Sequence, residues 1–157
     1  MAQSLREEQF GPFFGTPCGI LAPLYTELVL RDGLTTIVRE DNAVGIAAGA
    51  ALAGRAATVL MQNSGFAQSV NALASLVVPY RISILLIISL RGTDADGTEE
   101  NAVMGGVSEL LLRAIGIPYR KLSGDFQVDT KWASRCLRDD GGPAALLVPP
   151  GLFGWSP

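Results

Sequence analysis

The 157-residue sequence contains no histidine. That removes Ser-His-Asp and Cys-His catalysis, and any histidine-ligated metal, from what this chain can do unaided. An acid–base group must then be a carboxylate, lysine, tyrosine or cysteine, or belong to a cofactor. The only cysteines, Cys18 and Cys136, are too few and too far apart for a disulfide framework or a zinc site. They read as reduced thiols in a cytoplasmic protein. Charge is also scarce, at 17% of residues with a net charge of -3. Without a Lys/Arg run, nucleic acid is not an expected partner. No apolar run has transmembrane length, so no membrane association is expected either. Ile82 to Leu90 lies between Arg81 and Arg91 and suits a buried strand. The N-terminus lacks the basic-then-apolar pattern of a signal peptide, since Glu7-Glu8 follow Arg6. No Asp/Asn cluster is suited to Mg2+, and no metal site is expected in this chain. Gly49 to Gly54 has the glycine spacing of a phosphate loop but lacks its Lys and Ser/Thr, and no Gly-x-Gly-x-x-Gly follows the first strand.

What is present is an apolar chain, 48% hydrophobic, in which strand-like runs alternate with helix-like segments. That alternation predicts βαβ units. The expected strands are Phe13-Phe14, Thr35 to Arg39, Ala57 to Met61, Ile82 to Ser89, Tyr119 to Leu122 and Ala144 to Val148. Expected helices run to Gln9, then over Ile20 to Leu30, Ala43 to Gly54, Ala67 to Val78, Val107 to Ile115 and Phe126 to Leu137. Gln62 to Gly65 is expected as a polar loop, with Asn63 or Ser64 capping the helix after it, and Gly92 to Thr98 as a mobile one. The whole chain, 1–157, is expected as one domain of class α/β, a three-layer α/β/α arrangement with a six-stranded, mainly parallel sheet. Right-handed crossovers gather Gly15 to Gly19, Glu40, Gln62 to Phe66 and Ser89 to Thr93 at the carboxyl edge of that sheet, where such folds bind ligands.

Glu40 is the focal residue. It lies where the β-branched run Thr35 to Val38 gives way to a helix made almost entirely of small residues. A carboxylate there can be a helix N-terminal acid favoured by the macrodipole, or a functional group covered by a flat ligand. Arg91, ending a buried strand, can be a solvated charge or an attractor for an anionic group. Cys18 reads first as a small buried filler.

Taken together, Arg39-Glu40-Asp41-Asn42-Ala43-Val44-Gly45-Ile46-Ala47-Ala48-Gly49, Gln62-Asn63-Ser64-Gly65 and Asn71-Ala72-Leu73-Ala74-Ser75-Leu76 resemble the pyrimidine-binding domain of thiamine diphosphate enzymes. Within that superfamily the chain is most similar to sulfopyruvate and phosphonopyruvate decarboxylases. Gly15-Thr16-Pro17-Cys18, Ile87 to Gly92 and Val103-Met104-Gly105 add to the likeness, which covers residues 10 to 150 in the family's order. The resemblance implies that Glu40 hydrogen-bonds N1′ of the cofactor's aminopyrimidine, so that the cofactor serves as its own base and as the electron sink for loss of CO2 from a 2-oxo acid. It implies a cofactor-binding set of Glu40, Gln62, Asn63, Ser64, Gly65 and Phe66, and substrate-side candidates Thr16, Pro17, Cys18 and Arg91. It also implies a diphosphate-binding domain on a separate β chain, which holds Mg2+, in an α2β2 or larger assembly. Gly124-Asp125 is followed by Phe126 rather than by the family's diphosphate motif. A histidine found in many relatives before the Met-Gly pair is replaced in Glu99 to Met104. Two alternatives stand beside decarboxylation: an acyloin-forming carboligase subunit, and a non-catalytic α/β interaction subunit.

Overall fold

The computed structural model describes residues 1–156. Six strands form one sheet: β1 (Phe13–Gly15), β2 (Thr35–Thr36), β3 (Thr58–Gln62), β4 (Leu85–Ser89), β5 (Tyr119–Lys121) and β6 (Ala144–Val148). Their order is β2-β1-β3-β4-β6-β5, and every pairing is parallel. The helices are α1 (Ala2–Glu7), α2 (Ala22–Asp32), α3 (Glu40–Leu52), α4 (Asn63–Ala72), α5 (Glu99–Ala114) and α6 (Phe126–Arg138). They make the outer layers of the expected α/β/α architecture.

Side-chain alternation along the central strands sorts the core into two apolar clusters. Leu60, Leu85, Ile87 and Leu146 point to one face and pack with α1, α2 and α6. Val59, Met61, Leu86, Ile88 and Leu147 point to the other and pack with α3, α4 and α5. The central strands β3, β4 and β6 are buried on both faces, which is why they read as continuous apolar runs rather than as alternating ones.

Several boundaries differ from the sequence expectation. β2 ends at Thr36, because the chain turns outward through Ile37 to Arg39 so that α3 can begin at Glu40. Gln62 to Gly65 is no loop: β3 runs through Gln62, which is itself the N-cap of α4, and no side chain caps that helix. α4 continues as a π-helical stretch, Leu73–Val77, before Pro79. α5 begins at Glu99, eight residues before Val107, after Thr98 at its N-cap position and with Glu99 and Glu100 in the first turn, where the helix dipole favours acids; Gly105 lies inside it. A methyl group at Gly105 would overlap the Gly92 carbonyl, so the helix crosses the loop after β4 with its backbone in direct contact. The Arg91-Gly92 and Met104-Gly105 stretches are thus two sides of one contact.

Among the described residues, no helix is long and apolar enough to cross a membrane.

Candidate active site around Glu40

The carboxyl edge of the sheet brings together Gly15 and Thr16 after β1, Glu40 opening α3, Gln62 closing β3 and Ser89 closing β4. The registers Gly15↔Leu60 and Gln62↔Ser89 put these ends side by side. Glu40 occupies the first turn of α3, where the helix dipole favours a carboxylate. Its carboxyl does not cap its own helix but crosses to β1, where Thr16 Oγ1 donates to Glu40 Oε1 at 2.8 Å. On another side it rests on Gly65, in the first turn of α4. A methyl group at residue 65 would overlap the Glu40 carboxyl.

The neighbouring charges are already paired. Arg39 turns to Asp41, at 2.9 and 3.1 Å, and that guanidinium holds the Asp41 carboxyl below the usual carboxylate range. Glu40 is therefore left with a neutral donor and no cationic partner among the described residues.

The expected cofactor-binding block divides in two. Gln62, Ser64 and Gly65 stay at the edge, with Gln62 Nε2 donating to Ser64 Oγ at 2.8 Å. Asn63 and Phe66 do not line it. The Asn63 side chain is fully buried, and its Nδ2 donates to the Arg91 carbonyl (2.8 Å) and to Ser108 Oγ (3.1 Å), which ties α4 to β4 and α5. Phe66 lies wholly within the apolar cluster beneath α4. Both support the edge from below, since residues three apart in α4 share its inward face.

The substrate-side candidates also part ways. Cys18 Sγ lies 3.0 Å from Ser89 Oγ and 3.8 Å from Gln62 Oε1, so the thiol is a buried link between three strand ends. Pro17 is exposed, and with Cys18, Gly19, Ala22, Tyr25 and Thr26 it lines a hollow of about 370 Å³. The Tyr25 hydroxyl closes the inner side of that hollow, 2.8 Å from Thr36 Oγ1 and 3.2 Å from the Gly15 carbonyl.

Arg91 corrects the expectation of a free anion attractor. Its guanidinium pairs with the fully buried carboxylate of Asp96, and its far face lies 4.8 Å from the Trp155 ring centre. Asp96 is the residue that sequence reasoning missed. Burial pushes its carboxyl upward, but hydrogen bonds from Arg91, Thr98 and the Gly92 N–H outweigh this and hold it well below the usual range. The expected mobile segment is thereby stapled, and Thr93-Asp94-Ala95-Asp96-Gly97-Thr98 had the composition of such a turn.

This staple has a defined pH response. A depressed folded-state value means that the stabilisation is complete above about pH 4, the ordinary aspartate range, and is lost as pH falls through the folded value. Asp96→Asn should therefore lower stability at neutral pH by about 1–3 kcal/mol. The difference from wild type should shrink on acidification, as read by urea midpoints across that range.

A larger hollow, about 780 Å³, lies at the opposite edge of the sheet against Phe10, Pro12, Arg55 and Arg138. Asp32 on its wall is paired with Arg6 at 2.8 Å. Among the described residues, no group of three or more His, Cys, Asp or Glu side chains gathers as metal ligands do.

Comparison with known proteins decides the family. The sulfopyruvate decarboxylase subunit alpha of Methanocaldococcus jannaschii is 36% identical over 148 residues, covering 92% of this chain and 88% of that protein. The chain belongs to the sulfopyruvate decarboxylase α-subunit family. The corresponding subunit of Methanothermobacter thermautotrophicus is 45% identical over 84 residues, a match that covers 54% of this chain and 51% of that relative. The chain thus spans about half the length of that relative in the match. No protein-family model matches the chain. Among solved structures, benzoylformate decarboxylase from Polynucleobacter necessarius superposes with a TM-score of 0.71 at 15% identity, covering 96% of this chain and 29% of the other. At that identity the likeness concerns the fold, and it agrees with the three-layer parallel architecture.

Proposed function

We propose that this chain is the pyrimidine-binding α subunit of a heteromeric, thiamine diphosphate-dependent 2-oxo acid decarboxylase. Its substrate would be an anionic pyruvate derivative of the sulfopyruvate or phosphonopyruvate kind. The observation that carries this reading is the Glu40 carboxyl, held at the carboxyl edge by a neutral donor on Oε1, with no hydrogen-bond partner on the other oxygen among the described residues. Thiamine diphosphate, when bound, supplies the nucleophilic carbon and the electron sink for release of CO2. Glu40 would hold the aminopyrimidine by a hydrogen bond at N1′ and share a proton there. Gln62, Ser64 and Gly65 would form the adjoining wall.

The pyrimidine end of the cofactor fits these residues; the diphosphate end does not. Diphosphate and Mg2+ call for clustered oxygen donors, and the described residues bring no carboxylate cluster together. We assign that end to a β chain, with α2β2 as the smallest competent unit. The naming of the relatives as alpha subunits supports a partner. Free thiols at Cys18 and Cys136 suit a cytoplasmic setting.

The test is calorimetry of thiamine diphosphate with Mg2+ on the α chain alone and on α mixed with its partner, followed by CO2 release from sulfopyruvate and phosphonopyruvate. Binding and turnover confined to the mixture are the expected result. A mixture that neither binds the cofactor nor releases CO2 would overturn the proposal. Product analysis with added aldehyde separates decarboxylation from acyloin formation.

A further inference from the structure

The turn after β1 and the first turn of α3 are joined by one side-chain hydrogen bond, Thr16 Oγ1 to Glu40 Oε1, across 24 residues of sequence. Each end of that bond is fixed independently. The Thr16 N–H continues the sheet by donating to the Leu60 carbonyl at 3.2 Å. Glu40 is set by α3, whose first turn closes through the Ala43 N–H on the Arg39 carbonyl at 3.0 Å. Gly65 supplies a third side, flat because it has no Cβ.

A carboxylate that must address one ring atom needs more than proximity. Free rotation about its last bond would exchange the two oxygens and turn their lone pairs away from that atom. A donor fixed on Oε1 stops the rotation and leaves Oε2 available. The chemical type of the donor matters as well. A cation at this distance would hold Glu40 as an ion pair and oppose its taking up a proton. A hydroxyl orients the group without cancelling its charge, and the adjacent guanidinium of Arg39 is diverted to Asp41.

We propose that Thr16 is a positioning residue for Glu40: its hydroxyl engages one carboxylate oxygen so that the other is presented to the cofactor ring. This rests on the role proposed above for Glu40. It moves Thr16 from the substrate side of the site to the cofactor side.

The experiment compares Thr16→Val, which replaces the hydroxyl by a methyl of nearly equal size, with Thr16→Ser, which keeps it. Loss of a hydrogen bond to a charged group should lower kcat by about 10- to 100-fold in Thr16→Val, with Thr16→Ser recovering most of the rate. Two further readouts do not depend on turnover. Thiamine diphosphate affinity measured by calorimetry on the assembled enzyme should weaken in Thr16→Val and return in Thr16→Ser. A crystal structure of the Thr16→Val α chain should show the Glu40 carboxyl turned off Gly65. If Thr16→Val fails to fold, Thr16→Ala read against Thr16→Ser makes the same comparison. Glu40→Gln is run alongside. Wild-type kcat and affinity in Thr16→Val beside an inactive Glu40→Gln would overturn the positioning role alone. A Glu40→Gln enzyme that still turns over would overturn the underlying function instead.

Discussion

Glu40→Gln should lower turnover of the assembled enzyme by about 10²–10⁴, the range for losing an acid–base contribution. The substitution is nearly isosteric. The amide oxygen can still accept from Thr16, and the side chain can still lie along Gly65, so the geometry of the edge is retained. What disappears is the capacity to hold and share a proton. The structural cost is small, because the lost charge sits in the first turn of an accessible helix end, worth about 0.3–1 kcal/mol. The predicted signature is therefore a large fall in CO2 release with a thermal midpoint within a few degrees of wild type. Near-normal release with the partner chain present would remove Glu40 from the chemistry. A collapse of the thermal midpoint would show instead that the carboxylate stabilises the fold.

Much of this arrangement could be read from the sequence, and the parts that could not share a cause. The sheet was legible because β3, β4 and β6 are buried on both faces and so appear as unbroken apolar runs. Glu40 stood out because a carboxylate next to a run of small residues is a local pattern. Its partner, Thr16, stood out only as a substrate-side candidate. Thr16 is 24 residues away in sequence, and the pairing of β1 with β2, which Glu40 follows, brings the two ends to the same place. The Gln62 block misled in another way. Its polar composition suggests a loop, yet a strand can pass straight into a helix when the first helical residues find inward partners. Asn63 finds the Arg91 carbonyl and Ser108, and Phe66 finds the core. Arg91 looked available because the charge that neutralises it, Asp96, is buried within a stretch of turn-forming residues. Position in the fold was legible where the pattern was local; the pairing of polar groups across the edge was not.

Gly65→Ala should inactivate the enzyme while leaving it folded. Two effects of the added methyl pull in opposite directions. Gly65 lies within α4 with ordinary helical geometry, so alanine favours the helix by about 0.5–1 kcal/mol. The same methyl overlaps the Glu40 carboxyl. The cheaper relief is on the Glu40 side, because its side chain is only partly buried and, among the described residues, is held by the Thr16 hydroxyl alone. The carboxyl should swing away, and the backbone of α4, packed through Phe66, should stay. A displacement of about 1 Å at a reacting group costs about 10²-fold, so the loss should match or exceed that figure. The thermal midpoint should hold or rise. A double-variant cycle identifies the cause: if Gly65→Ala acts by moving Glu40, then Glu40→Gln with Gly65→Ala should be scarcely slower than Glu40→Gln alone. Additive losses would mean that Gly65 serves the site through something other than Glu40. Turnover within a few-fold of wild type in Gly65→Ala would mean that the contact between the two residues is not needed for catalysis.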